Sequence, residues 1–83
     1  MDRTEIATQL KQFFEREFPN PGVALTDSTD LLRDWLVDSL GIVTTTLFLE
    51  TSFGVDVTRA DIRMENYQTI DRLTDFITRK LHD

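Results

Sequence analysis

The tripeptide Asp38-Ser39-Leu40 sets a hydroxyl beside a carboxylate and is the first place in the chain to look for chemistry. A serine hydroxyl attacks an electrophile when a base removes its proton, and histidine is the usual base. The one histidine, His82, is the next-to-last residue, at a chain end where order is poor. A serine hydrolase of the triad type is therefore excluded. A hydroxyl without its own base can still react when another enzyme supplies one. The absence of cysteine removes a thiolate nucleophile, a disulfide framework and a cysteine-based zinc site. The acids Asp27, Asp30, Asp34 and Asp38 recur about a helical turn apart and could suggest a cation site. They lack the glycine and closing glutamate of a calcium loop, so solvation of a loop is the better reading. Asp38-Ser39 also has an ordinary reading, as the N-cap of a helix.

The elements that must position these residues are helical. Ile6, Leu10, Phe13 and Phe14 follow helical spacing and predict a first helix from about Thr4 to Phe18. Asp2 and Glu5 offer capping chemistry at its start, and Pro19 ends it by disfavouring a helical Phe18. A long connection follows, roughly 23–38, carrying Leu25, Leu31, Leu32, Trp35, Leu36 and Val37. Loops of this length are uncommon unless functional, and its apolar residues are expected to tie it against the bundle. Trp35 is read as core, with a partner-facing patch as the alternative. The second helix is predicted from Ser39 to near Phe53, with Gly54 as its stop. Leu40, Val43, Leu47 and Phe53 are expected to form its buried face. The run Thr44-Thr45-Thr46 is poor in helix propensity, so packing must hold this helix. Thr58 and Asp61 begin a short third helix bearing Ile62, and Thr69 caps a last helix in which Ile70, Leu73, Ile77 and Leu81 share a face. Phe13 or Phe14, Leu40, Val43, Leu47, Ile62, Leu73 and Ile77 should converge in the core. The fold class is thus all-α: three longer helices, one short helix and a long first loop, in a single domain over residues 1–83.

Composition narrows the function. A chain this short buries roughly 60% of its unfolded surface, enough to fold but not to wall off a deep cavity. Nine basic and fifteen acidic residues give a net charge of −6. Such a surface repels nucleic acid and anionic membrane and attracts basic patches on proteins. The start, MDRTEIATQLKQ, lacks the basic opening and apolar run of a signal peptide, and no apolar stretch approaches a membrane span. The expectation is a soluble, cytoplasmic monomer that is not an enzyme.

The stretch Leu31-Leu32-Arg33-Asp34-Trp35-Leu36-Val37-Asp38-Ser39-Leu40 resembles the modification site of the acyl carrier protein family. The resemblance continues through Leu47-Phe48-Leu49-Glu50-Thr51-Ser52-Phe53-Gly54-Val55-Asp56-Val57, similar to the family's LEEEFGIEI pattern. It closes with Asp61-Ile62 and Glu65-Asn66-Tyr67-Gln68-Thr69-Ile70-Asp71-Arg72-Leu73. In order and spacing it covers essentially the whole chain, which makes it far more specific than the tripeptide. It implies an acyl-carrier-like bundle in which Ser39 receives 4′-phosphopantetheine from coenzyme A through a phosphopantetheinyl transferase. The arm's thiol would then hold acyl or aminoacyl groups as thioesters for partner ligases or synthases. Asp38 is expected to help the transferase engage, and Leu40 to fix the serine by packing beneath it.

The chain departs from the family where partners are recognised. Leu36 and Val37 occupy the stretch in which carriers usually have a glycine, and Trp35 replaces a smaller anchor. Between Leu40 and Gly54 the only charge is Glu50, and Thr44, Thr51 and Ser52 stand where acids are common. Enzymes of type II fatty-acid synthesis are expected to recognise such a helix poorly. The cognate partner should instead read the acids Asp30, Asp34 and Asp38, with Thr44 nearby and an apolar contact from Leu36, Val37 or Phe48. A carrier for a dedicated pathway is the leading reading. A housekeeping fatty-acid carrier and an unmodified helical interaction domain are the alternatives.

Overall fold

Aspartate and threonine side chains start most of the helices, and a proline or glycine stops the two long ones that precede the last. The computed structural model describes residues 1–35 and 38–82. Helix α1 spans Arg3–Glu17, with Asp2 Oδ1 accepting from the Glu5 amide at 2.9 Å. Its buried face is Ile6, Leu10, Phe13 and Phe14, as the spacing predicts. Helix α3 spans Ser39–Phe53 and ends at Gly54, whose φ of +67° is the left-handed conformation that glycine adopts without strain. Helix α5 spans Ile70–His82, and Thr69 Oγ1 accepts from the Arg72 amide at 3.0 Å. Its buried residues are Ile70, Leu73, Thr74, Phe76 and Ile77, whereas Leu81 is exposed. The result is an all-helical bundle in which α5 packs against α1. Among the described residues there is no strand, and no helix is long and apolar enough to cross a membrane.

The long first connection is fastened, as its apolar content requires. Leu31 is fully buried and Trp35 is 6% exposed. Within the connection lies a single helical turn, α2 (Leu31–Asp34), which sequence reasoning leaves as loop. It is capped by Asp30 Oδ1, which accepts from the Arg33 amide at 3.1 Å. Tertiary bonds hold it: the Leu31 amide donates to the Gln68 carbonyl at 2.7 Å, and Asn20 Nδ2 donates to the Asp34 carbonyl at 2.8 Å. The acids of this segment have separate tasks. Asp27 pairs with Lys11 at 2.7 Å while Asp30 and Asp38 cap helices; Asp34 is exposed.

The expected facing of α3 holds at Phe53 and is wrong at the other three positions. Leu40, Val43 and Leu47 are 70%, 54% and 59% exposed, while Gly41, Thr45, Leu49 and Phe53 are buried. The helix carries two apolar stripes, and hydropathy favours the one that contains more leucine and valine. Packing chooses the other. Gly41 and Thr45 are buried although neither is strongly apolar, and Leu49 and Phe53 join the core cluster. Phe48 stacks on Phe13 with ring centroids 4.1 Å apart. The Thr46 hydroxyl donates to the Ile42 carbonyl at 2.9 Å and therefore accepts from Tyr67 Oη at 2.6 Å. Tyr67 is buried, and burial raises its pKa. The Thr45 hydroxyl, also buried, has no partner among the described residues, a cost that the surrounding packing offsets.

The expected third helix is divided into a 3₁₀ turn, Arg59–Asp61, and a one-turn helix α4, Met64–Tyr67. Ile62 lies between them and is 44% exposed, so it is not a core residue. Asp61 Oδ2 accepts from the Thr58 amide at 2.9 Å and from Lys80 Nζ at 2.7 Å. The bond from Lys80, followed by that from the Thr58 amide, lowers the Asp61 pKa from 3.8 to about 2. A carboxylate whose folded pKa is depressed stabilises the fold above its unfolded pKa and loses that contribution as pH falls through the folded value. Asp61→Asn is therefore expected to cost about 1 kcal/mol at neutral pH. The difference from wild type should close between pH 4 and pH 2, the interval set by the two pKa values. Thermal melts of both proteins across that range would read it, and a deficit unchanged at pH 2 would contradict the assignment.

Candidate functional site

Asp38 has an extended backbone, with φ −148° and ψ 175°, and its Oδ1 accepts from the Gly41 amide at 3.0 Å. Asp38 is therefore the N-cap of α3, and Ser39 is the first residue of the helix. Relieved of capping, the Ser39 side chain is exposed. Its position adds a favourable field for negative charge, because helix N-termini present amide hydrogens and the positive end of the peptide dipoles. The acid at this end of α3 is the N-cap Asp38, whose carboxylate already takes the Gly41 amide and offsets part of that field.

Leu40 does not pack beneath the serine. It is 70% exposed and stands beside Ser39 at the surface. At 3.6 residues per turn, Val43 and Leu47 fall on the same side of α3 as Ser39, and both are exposed. An apolar stripe thus runs along the helix directly from the candidate serine. Sequence reasoning assigned these residues to the core. The signal that identifies them is the presence of two apolar stripes on a helix that can bury only one: the outward stripe is the one continuous with the accessible hydroxyl. The sole charge of α3, Glu50, is turned to its own chain, where Oε2 accepts from the Val57 amide at 3.2 Å.

The remaining predicted residues divide into three groups. Asp34 is exposed at the end of α2, and Thr44 is half-buried in the wall of a groove beside Ser39. Phe48 is half-buried, with its ring stacked on Phe13. Leu36 and Val37 lie outside the described residues. The groove occupies about 300 Å³ and is lined by Glu17 and Phe18 at the end of α1, by Trp35, and by Asp38, Leu40, Gly41 and Thr44. Its acids face solvent, and its inner wall is aromatic. The arrangement presents an exposed hydroxyl at the start of α3 beside an exposed apolar stripe.

A family profile described as "Phosphopantetheine attachment site" matches residues 8–77, from the second turn of α1 through most of α5. Comparison with curated proteins gave no significant match. The profile agrees with the all-helical fold. The chain belongs to the phosphopantetheine-attachment family, the carrier domains that hold 4′-phosphopantetheine covalently, are not themselves catalytic, and work with a phosphopantetheinyl transferase and biosynthetic enzymes.

Proposed function

We propose that Ser39 is the attachment residue and that the chain, as a single carrier domain, serves a dedicated biosynthetic pathway. The observation that carries the first part is an exposed serine at the first position of α3, freed for modification because Asp38 performs the capping. In the loading step the Ser39 Oγ–P bond forms and a P–O bond of the coenzyme A pyrophosphate breaks. Adenosine 3′,5′-bisphosphate leaves, and the serine proton passes to a base supplied by the transferase. The phosphodiester then lies at the α3 N-terminus, where its charge is favoured. The arm's thiol holds an acyl or aminoacyl group as a thioester. Its tether raises the cargo's effective concentration at each partner's active site.

Partner choice rests on the exposed stripe of Leu40, Val43 and Leu47, with the exposed acid Asp34 as a second element of recognition. Of the other apolar contacts expected, the Phe48 ring is engaged with Phe13, and Leu36 and Val37 lie outside the described residues. A rim charge such as Asp34 acts mainly on the association rate, whereas the apolar contacts set the dissociation rate. Acyl- or amino-acid-activating ligases and synthases with an apolar cradle and a basic rim fit this surface. Carriers that dock through an acidic helix weaken with salt over a Debye length of about 8 Å. The near-neutral α3 should leave this chain less salt-sensitive.

Intact-mass measurement after exposure to coenzyme A, magnesium and a broad-specificity transferase should show one arm added. The loaded protein should then be a poor substrate for a standard fatty-acid ketosynthase and a good one for its own activating ligase. Turnover by that ketosynthase as fast as with the enzyme's own carrier would end the dedicated-pathway reading, and an unmodified wild type would favour an interaction domain.

A further inference from the structure

The groove beside Ser39 carries charge of one sign only. Glu17 and Asp38 line it, and none of its other lining residues, Phe18, Trp35, Leu40, Gly41 and Thr44, is basic. Neither carboxylate pairs with a cation among the described residues. Asp38 commits one oxygen, Oδ1, to the Gly41 amide at 3.0 Å and leaves Oδ2 open. Glu17 stands at the unfavourable end of its own helix. It is the last residue of α1, where the carbonyl ends of the peptide dipoles already concentrate negative potential. A carboxylate there weakens the helix unless a cation from outside meets it.

The approach of such a cation is fixed by Ser39. Carriers of this family work with a phosphopantetheinyl transferase, and an enzyme that modifies an exposed serine must cover the surface around it. Asp38 and Leu40, the neighbours of the serine, also line the groove. An enzyme seated over Ser39 therefore lies over the groove as well. At about 300 Å³ the groove has room for one long side chain. Its walls suit arginine better than lysine. A guanidinium is planar and weakly hydrated, packs on surfaces such as those of Phe18 and Leu40, and forms forked bonds to carboxylates. An ammonium gives up more hydration to enter.

On the reading of Ser39 as the attachment residue, we propose that the groove receives an arginine side chain of the transferase and that Glu17 is a specificity-determining residue for loading. The guanidinium lies between Glu17 and the open Oδ2 of Asp38, and its stem packs on Phe18 and Leu40. The contact is remote from the reacting atoms, so it acts on binding and register over the serine. Because Glu17 comes from α1, the transferase reads the end of α1 together with the start of α3. Asp38-Ser39-Leu40 without an acid at this end of α1 would make a poorer substrate.

Loading kinetics with coenzyme A, magnesium and a broad-specificity transferase test the proposal. Glu15→Gln is the control, because Glu15 is exposed, carries the same charge and does not line the groove. Glu17→Gln should raise KM for the carrier about three- to tenfold with kcat unchanged, the range that one net hydrogen bond supplies. Glu15→Gln should leave KM as in wild type. Occupancy is read directly by ¹⁵N-correlated NMR of the apo protein titrated with N-acetyl-arginine amide, with the neutral citrulline isostere as comparison. The arginine probe should shift the amides of Phe18, Leu40 and Gly41, the citrulline probe should not, and Glu17→Gln should remove the response. An unchanged KM for Glu17→Gln would overturn the proposal. Equal rises for Glu17→Gln and Glu15→Gln would also overturn it, because net charge alone would then explain them. Absence of any mass adduct on the wild type would overturn the attachment reading and this proposal with it. Loading at Ser39 without a selective arginine response would overturn the groove contact alone.

Discussion

Ser39→Ala is expected to abolish loading completely while leaving the fold within a few tenths of a kcal/mol of wild type, about the change that an exposed substitution makes. The separation of the two effects comes from the cap. Asp38 Oδ1, not the serine hydroxyl, accepts from the Gly41 amide, so the substitution removes no capping bond. Alanine is also the better helix former. Asp38→Ala should behave in the opposite sense, costing about 1 kcal/mol as a lost cap while the acceptor hydroxyl stays in place. Intact mass after transferase treatment reads loading, and a urea melt reads stability. One arm on Asp38→Ala, at a reduced rate, and none on Ser39→Ala would separate the residue that positions the helix from the one that is modified. An undiminished adduct on Ser39→Ala would remove the assignment altogether.

The parts of this structure legible in the sequence are those set by local chemistry. Asp2 and Pro19 bracket α1, and Asp38 and Gly54 bracket α3, because caps and left-handed stops act within a few residues. Ser39 and Asp38 were legible for the same reason. The facing of α3 was not, since its two stripes differ in hydropathy in the wrong direction. Gly41 and Thr45 are buried, although a hydropathy pattern ranks both below the leucines and valine of the outward stripe. The turns α2 and α4 escaped for another reason: four residues are too few for a period. The Leu31 amide bond to the Gln68 carbonyl, which links them, spans much of the chain. Tyr67 went unnoticed as a core residue because it is a single aromatic in the polar stretch Glu65–Thr69, and only its packing and the bond to Thr46 place it inside. The groove beside Ser39 joins Glu17 and Phe18 to Trp35, Asp38, Leu40, Gly41 and Thr44 and exists only once the connection has folded back.

The reversed facing of α3 gives the second large effect, carried by two leucines two positions apart. Leu49 is fully buried, in the same cluster as Phe53, Leu73 and Ile77, whereas Leu47 is 59% exposed. Leu49→Ala is expected to cost about 2–5 kcal/mol through lost burial and an incompletely filled cavity. Leu47→Ala should stay within about 0.5 kcal/mol of wild type. Both exchanges are leucine to alanine in one helix, so propensity changes equally and cancels in the comparison. A domain of this size has a total stability of about 4–12 kcal/mol, and Leu49→Ala would remove a large share of it. Urea denaturation should show the midpoint falling for Leu49→Ala at an unchanged slope, which marks a change in stability instead of one in compactness. Partner binding should reverse the order. Leu47→Ala removes a piece of the exposed stripe and should dissociate faster from the cognate enzyme, while Leu49→Ala, where it remains folded, should bind as wild type does. Equal destabilisation by the two substitutions would show that Leu47 is buried after all, and the docking face would then have to lie elsewhere on the bundle.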